Sequence, residues 1–449
     1  MSSYLFEQFE ATSPSAWKQK IQVDLKGEDY NETLLWKSEE GIIVKPFYTK
    51  NDRKTGGFKS DPFLANICQS IFIDNEQIAN FLATDALKRG ATALEFKASE
   101  KFDYKKLLKD INLQETIIYF RFDWLDDHFV NELAQFCNSE KCFFDVDIIA
   151  KLVSSGNWFD TLHTDFKALE NIVQKEGKSL SVNAGIYQNA GANTSQELAY
   201  SLAHANEYLN YFGKNSETQF HFKFAVGGNY FFEIAKLRAF RMLWNALLIE
   251  HGIKETEAHI CCQPSLRNKT IYDYNVNMLR TTSECMSALL GGANTVLNTP
   301  YDVLFHKSNE FGERIARNQL LILLEECELA NANTIADGTY YIESLSQQIA
   351  EKALAIFKSI EKAGGFLKQL KEGTIQRKIV ESAQKEQEQF DRGELVLIGS
   401  NKQANSSDLM KESLELYPFV KVKPIKTLIA PILQKRLAED YEKNRLNSE

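Results

Sequence analysis

Four short groups of residues in this sequence carry side chains that could do chemistry. Asp145 and Asp147 stand two apart in the run CFFDVDI, so on a strand both would project to one side. Such a pair can hold a divalent metal. Neither a histidine nor a third carboxylate follows closely, however, and the spacing reads instead as a polar layer or a strand-end cap. Cys261-Cys262-Gln263-Pro264 offers two thiols, but no histidine follows closely to make a thiolate of either, so inert core cysteines are expected. The segment Ala184-Gly185-Ile186-Tyr187-Gln188-Asn189-Ala190-Gly191-Ala192-Asn193 is built largely of small residues that let backbone approach something closely. It holds no general base, and Asn193 or Thr194 can cap a helix after it. The seven histidines (His128, His163, His204, His221, His251, His259 and His306) show neither H-x-x-x-H nor H-E-x-x-H spacing. His221 and His259 fall in strand-like runs, where a satisfied layer histidine is the expectation.

The elements that must position these groups alternate in a regular way. Short β-type runs occur at 93–96, 117–122, 142–148, 179–184, 221–226, 258–263, 295–298 and 339–342, with helical patterns between them. Eight such runs with helical crossovers predict an α/β fold, a (β/α)8 TIM barrel, with functional residues at the C-terminal strand ends. A doubly wound open sheet is the alternative, but Gly227-Gly228 lacks the third glycine of a dinucleotide-binding turn. The clearest helix is predicted from Asn229 to His251. Leu237, Phe240, Trp244, Leu247 and Leu248 form its apolar face, and Lys236, Arg238 and Arg241 read as a solvated or interface-facing basic stripe.

Two flanks do not fit the barrel. Residues 1–70 form an extension carrying Trp17, Trp36 and Pro46-Phe47-Tyr48, too short for a good core of its own and suited to lying on a partner. The barrel is assigned to 71–363. Residues 364–449 form a helical C-terminal extension, with Asn401 to Asp408 read as a mobile linker and one or two peripheral helices in the last forty residues. The chain has 52 Lys and Arg against 61 Asp and Glu, net −9, which argues against sequence-independent nucleic-acid binding. It has no apolar run of about 18 residues and no leader-like start, so no membrane span and a cytoplasmic location are expected. The seven cysteines are scattered, with no C-x-x-C among them, as expected for reduced thiols.

The motif GGNYFFEIAKLRAFRMLW at 227–244 resembles the strand-to-helix signature of the adenosylcobalamin-dependent acyl-CoA mutases, methylmalonyl-CoA mutase in particular. Leu279-Arg280-Thr281-Thr282 leading to Gly291-Gly292 follows in the same order. So do Arg314-Ile315-Ala316-Arg317-Asn318 leading to Glu325-Glu326, and Ala336-Asp337 leading to Glu343. The resemblance runs from 179 to about 402 and implies a (β/α)8 barrel threaded by an acyl-CoA thioester. It also implies a C-terminal cobalamin domain over the barrel and radical interconversion of succinyl-CoA and methylmalonyl-CoA.

The sequence departs from that pattern where the family's chemistry is done. The positions of the family's Tyr-His pair carry Gly185 and Ile186, and the position of its carboxylate-binding arginine falls on Ser155. Its arginine, serine and histidine of the CoA and substrate site correspond to Gln219, His221 and Cys261. Asp337-Gly338-Thr339 shortens a family loop, and Thr55-Gly56-Gly57-Phe58 stands near the place of its Arg, Pro and Tyr-rich substrate segment. Asp126-Asp127-His128 has the start of the cobalamin motif D-x-H-x-x-G, but Asn131 replaces the glycine, and the match is read as chance. The roughly 50 residues after Asn401 leave no room for a flavodoxin-like cobalamin domain.

The resemblance therefore implies a small (beta) subunit with no catalytic, cofactor or metal residues of its own. Its partner would be a large (alpha) subunit that carries adenosylcobalamin in a heterodimer. The alternatives are a catalytic barrel that borrows a separate cobalamin chain and a free-standing module for another acyl-CoA. The first reading further expects Phe222, Phe224 and Ile186 to plug the barrel, and Trp17 and Trp36 to anchor the partner.

Overall fold

A computed structural model describes all residues except 1–7, 11, 54–58, 60, 177–178, 214–218, 255 and 422–423. The stretch 55–58 noted above therefore lies outside the described residues. In the N-terminal extension a small antiparallel hairpin pairs β1 (Trp36–Lys37) with β2 (Ile43–Val44). Eight parallel strands follow: β3 (Asn66–Phe72), β4 (Ala93–Ala98), β5 (Ile117–Phe122), β6 (Cys142–Asp145), β7 (Leu180–Asn183), β8 (Phe220–Val226), β9 (His259–Pro264) and β10 (Thr295–Leu297). Their order, β6-β5-β4-β3-β10-β9-β8-β7, wraps the sheet until its first and last strands face each other.

No backbone ladder joins β6 to β7, and side chains bridge the gap. The Ser181 hydroxyl donates to Asp145 at 2.9 Å, and the Asn183 N–H donates to Asp147 at 2.8 Å. The result is a nearly closed (β/α)8 barrel, as the alternation of runs and helices implies.

Two strands differ from expectation. The first barrel strand is β3, whose NICQSIF run was not read as one, and the segment 339–342 is no strand. Thr339 instead precedes the helix Tyr340–Lys362. Its aromatic start imitates a strand, but Ile342, Leu345, Ile349, Ala353 and Ile360 are buried at helical spacing, and periodicity over that length prevails. The run at 142–148 also ends early. The strand stops at Asp145, and Asp147 caps the helix Ile148–Ser155 by accepting the Ala150 N–H at 2.9 Å.

The helix Tyr230–Glu250 matches its predicted span within a residue at each end. Its basic residues do not form a solvated stripe, because the helix is enclosed by Thr194–Phe212, Val276–Leu290 and Tyr340–Lys362. Lys236 is buried against Glu197, Glu233 and the Ala225 carbonyl. Arg238 pairs with Asp337 at 2.7 Å, and Arg241 donates to the carbonyls of Ala258 and Gly292. Buried cations are tolerated only with such partners, so these residues fasten the helix to its surroundings.

C-terminal to the barrel come the helices Phe366–Lys371 and Thr374–Asp391 and then a mainly irregular stretch back to the barrel. There the N–H groups of Leu428, Ile432 and Leu437 donate to the carbonyls of Gly156, Val153 and Arg267. A last helix, Glu439–Ser448, buries Glu442 against Arg436 at 2.6 Å. Among the described residues there is no second α/β unit, and no helix is long and apolar enough to cross a membrane.

Candidate functional site

Strand alternation decides which side chains enter the barrel. On β8, Phe222 and Phe224 face outward, with Phe222 packed on Phe240 and Trp244 at 4.6 and 4.9 Å between centroids and Phe224 on Phe240 at 4.8 Å. They are therefore not the plug. The inward residues of that strand are His221 and Lys223, one position out of phase with the two phenylalanines.

Midway along the axis the interior is filled by Cys68, Ala93, Tyr119, Phe143, Cys261 and Leu297, all buried. Tyr119 stacks on Phe143 at 5.3 Å and on His221 at 5.1 Å, and Phe143 stacks on His259 at 4.3 Å. The Tyr119 hydroxyl lies 2.7 Å from both His259 Nε2 and Thr295 Oγ1. Burial, then His221 and Arg241, pushes His259 well below the usual imidazole range. Burial pushes the Cys261 thiol up to about 12 and Cys68 and Cys262 well above the ordinary thiol value, so these cysteines are inert.

A charged layer lies toward the C-terminal strand ends. Glu95 is fully enclosed, paired with Lys223 and with Lys97 at 3.1 Å, and accepts the Ser70 hydroxyl at 2.8 Å. Burial alone would raise its pKa, but Lys223, Lys97 and Arg121 hold it well below the carboxylate range. Asp145 stands 2.9 Å from His221 Nδ1; burial opposes its ionisation, and His221 and Lys223 nonetheless keep it low. Asp145 and Asp147 thus serve a polar layer and a helix cap respectively, and they do not converge on one point. Asp147 also accepts from the Tyr208 hydroxyl at 2.8 Å and lies 2.9 Å from His204 Nε2, which sequence spacing gave no sign of.

Above this layer a cavity of about 180 Å3 opens at the mouth, lined among others by Arg121, Trp124, Asp145, Lys151, Asn183, Ile186 and Lys223. Ile186 reaches it from the short helix Gly185–Asn189, which begins just after β7. Gly185 is pressed on β8: an added Cβ would lie 3.1 Å from the Ala225 nitrogen. Tyr187 turns away from the mouth and is hydrogen bonded to His204 at 3.0 Å. Ser155 lies outside this cavity, and its hydroxyl donates to the carbonyl of Lys151 at 2.7 Å. Gln219 is exposed just before β8. Asn193 caps the next helix in a reciprocal box with Gln196, and Gly191 permits a close approach of Ala383, which a Cβ would meet at 2.4 Å.

His128 is exposed on a helix, 3.6 Å from Glu132, and its motif neighbour Asn131 is buried within that helix. Among the described residues no group of three or more His, Cys, Asp or Glu is arranged for a metal.

The fold and the mouth define an α/β barrel protein whose axis is filled by a buried polar and aromatic plug. Comparisons with known proteins give it a family. The methylmalonyl-CoA mutase family model matches residues 140–442. The chain is 31% identical to a methylmalonyl-CoA mutase small subunit of Porphyromonas gingivalis, covering 99% of this chain and 78% of that one. It is 28% identical to a methylmalonyl-CoA mutase of Cereibacter sphaeroides over 86% of this chain and 64% of that one. To a methylmalonyl-CoA mutase small subunit of Streptomyces virginiae it is 38% identical, over 44% of this chain and 33% of that one. The chain belongs to the methylmalonyl-CoA mutase family.

The family's cofactor, adenosylcobalamin, does not fit the residues at the mouth. The 180 Å3 cavity is far smaller than a corrinoid, and His221 and His259 are enclosed in the plug below it, where Asp145 faces His221 Nδ1 and Tyr119 meets His259 Nε2.

Proposed function

We propose that this chain is the small, non-catalytic subunit of a heteromeric methylmalonyl-CoA mutase. Its partner is a large (alpha) subunit that carries adenosylcobalamin, the source of radical chemistry for interconverting succinyl-CoA and methylmalonyl-CoA. The observation that carries the reading is the filled axis: Tyr119, Phe143, His221 and His259 stack across the space a threaded thioester would need. Two further features support it. Gly185, Ile186 and Ser155 bring no acid, base or cation to the mouth, and two similar proteins bear small-subunit names.

In this reading the N-terminal part, expected to end at residue 70 but giving way to the barrel at β3 (Asn66–Phe72), is a partner-contacting extension, the barrel runs on to 363, 364–449 is a C-terminal extension, and the complex works in the cytoplasm. Trp17 and Trp36 anchor the partner: they are 52% and 51% exposed, each braced at a ring edge by Phe47 and Phe232. Such half-exposed aromatics, once covered, dominate binding energy.

Co-expression with the large subunit tests this. The expected result is a stable one-to-one complex that turns over succinyl-CoA with adenosylcobalamin, while the small chain alone turns over none. Trp36→Ala should weaken the complex by about 2 kcal/mol, roughly thirtyfold, by calorimetry. Turnover by the isolated chain, or a complex indifferent to both Trp17→Ala and Trp36→Ala, would remove the proposal or its interface.

A further inference from the structure

The mouth cavity holds hydrogen-bonding capacity that the protein itself leaves unused. Its buried acids are satisfied. Asp145 accepts from Ser181 and faces His221, while Asp147 accepts from Ala150, Asn183 and Tyr208 and faces His204. The donors differ. Among the described residues the Arg121 guanidinium makes no hydrogen bond or close ion pair, although its charge acts on Glu95 from a distance, and the side-chain amide of Asn183 makes no hydrogen bond. Lys151 lies 5.0 Å from the Phe159 ring centroid and reaches no carboxylate, and the indole N–H of Trp124 is buried with no acceptor. The buried Trp124 N–H costs about 1–3 kcal/mol without a partner, and with the half-buried Arg121, Lys151 and Asn183 donors around the same space it describes a place for an acceptor.

We propose that the mouth of this barrel binds a small free carboxylate with a short carbon chain. Arg121 offers the planar fork that a carboxylate matches, and Lys151 and Asn183 supply further donors. Phe159 and Ile186 form the apolar wall for the carbon tail, a wall that an inorganic oxyanion could not use. The space of about 180 Å3 suits an acid of a few carbons. The site is complete within this chain and does not depend on the large subunit.

The test is titration of the purified full chain with sodium butyrate at constant ionic strength, followed by calorimetry and tryptophan fluorescence. Butyramide, equal in size but uncharged, and inorganic phosphate, charged but without a tail, serve as comparison probes. Saturable one-to-one binding of butyrate is expected, with both comparison probes at least tenfold weaker. Arg121→Gln should weaken butyrate at least tenfold while circular dichroism and Tm stay as in the unmodified chain. Trp124→Phe should remove the fluorescence change and keep measurable calorimetric binding. Ile186→Phe, which narrows the cavity and keeps Arg121, should also weaken butyrate and so covers the case in which Arg121→Gln fails to fold. Absence of saturable heat, phosphate binding as well as butyrate, or unchanged affinity in both Arg121→Gln and Ile186→Phe would overturn the proposal.

Discussion

The midsection of the barrel and its mouth are a few residues apart on the same strands, and they differ in how completely their polar groups are matched. In the midsection Tyr119 meets His259 and Thr295, and in the charged layer just above it Glu95 is held between Lys223 and Lys97. At the mouth, Arg121, Lys151, Asn183 and Trp124 face a cavity with donors to spare. The lesson is that the barrel axis is closed by polar and aromatic contacts rather than by aliphatic bulk, even though His221 Nε2 is buried there without a hydrogen-bond partner. That closure belongs to the midsection and the charged layer above it, and not to the mouth.

The largest effect should come from breaking the charged layer. Lys223→Met leaves Glu95 buried with Lys97 alone and is expected to cost about 3–5 kcal/mol, read as a fall in the urea midpoint at unchanged slope. A loss below about 1 kcal/mol would mean that the layer is not a closed network. Tyr119→Phe keeps the ring stack and deprives His259 and Thr295 of their shared partner, so a loss of about 1–3 kcal/mol is expected in the same assay.

Acid should act on the midsection too. Glu95 is held below its unfolded value, so its contribution is fully present above about pH 4.3 and is lost as pH falls through its lower folded value. His259 is also depressed. The unfolded chain therefore takes up its proton first, and stability begins to fall as pH drops below about 6.5. Urea midpoints across about pH 7 to 2 should show the earlier loss flattened in His259→Asn and the later one flattened in Glu95→Gln. The smallest effect is predicted at the mouth: Arg121→Gln breaks no side-chain hydrogen bond and gives up only part of the charge acting on Glu95, so it should cost no more than about 1 kcal/mol. A large loss there would erase the contrast between the two regions.

Sequence periodicity carried the architecture further than the details. The helix Tyr230–Glu250 and the cap at Asn193 were legible because their signals are local. Eight strands were expected and eight are present, yet the set differs by one at each end of the series. Gln69 and Ser70 interrupt the apolar run of β3 because both faces of the strand meet polar partners, Ser70 bonding Glu95 in the interior and Gln69 bonding Arg317 of the covering helix. Tyr340-Tyr341-Ile342 imitates a strand at the start of a long helix.

The identity of the plug was lost to a shift of one residue. Phe222 and Phe224 are the conspicuous apolar residues of β8, but the helix side of the sheet claims them, and the interior receives His221 and Lys223. Lys236 and Arg241 looked solvated because the groups that bury them, Glu197 and the Gly292 carbonyl, lie 39 and 51 residues away in the chain. The unmatched donors at the mouth carry no sequence signal at all, since only the assembled barrel shows which donors lack acceptors.

The central claim is that the closed midsection keeps acyl-CoA out of this chain. Titration of succinyl-CoA into the purified chain by calorimetry tests it most directly, because a catalytic barrel that borrowed its cobalamin from another chain would still bind the thioester. The account predicts no saturable binding up to about 1 mM, a free energy weaker than about −4 kcal/mol. Saturable one-to-one binding in the micromolar range would contradict it.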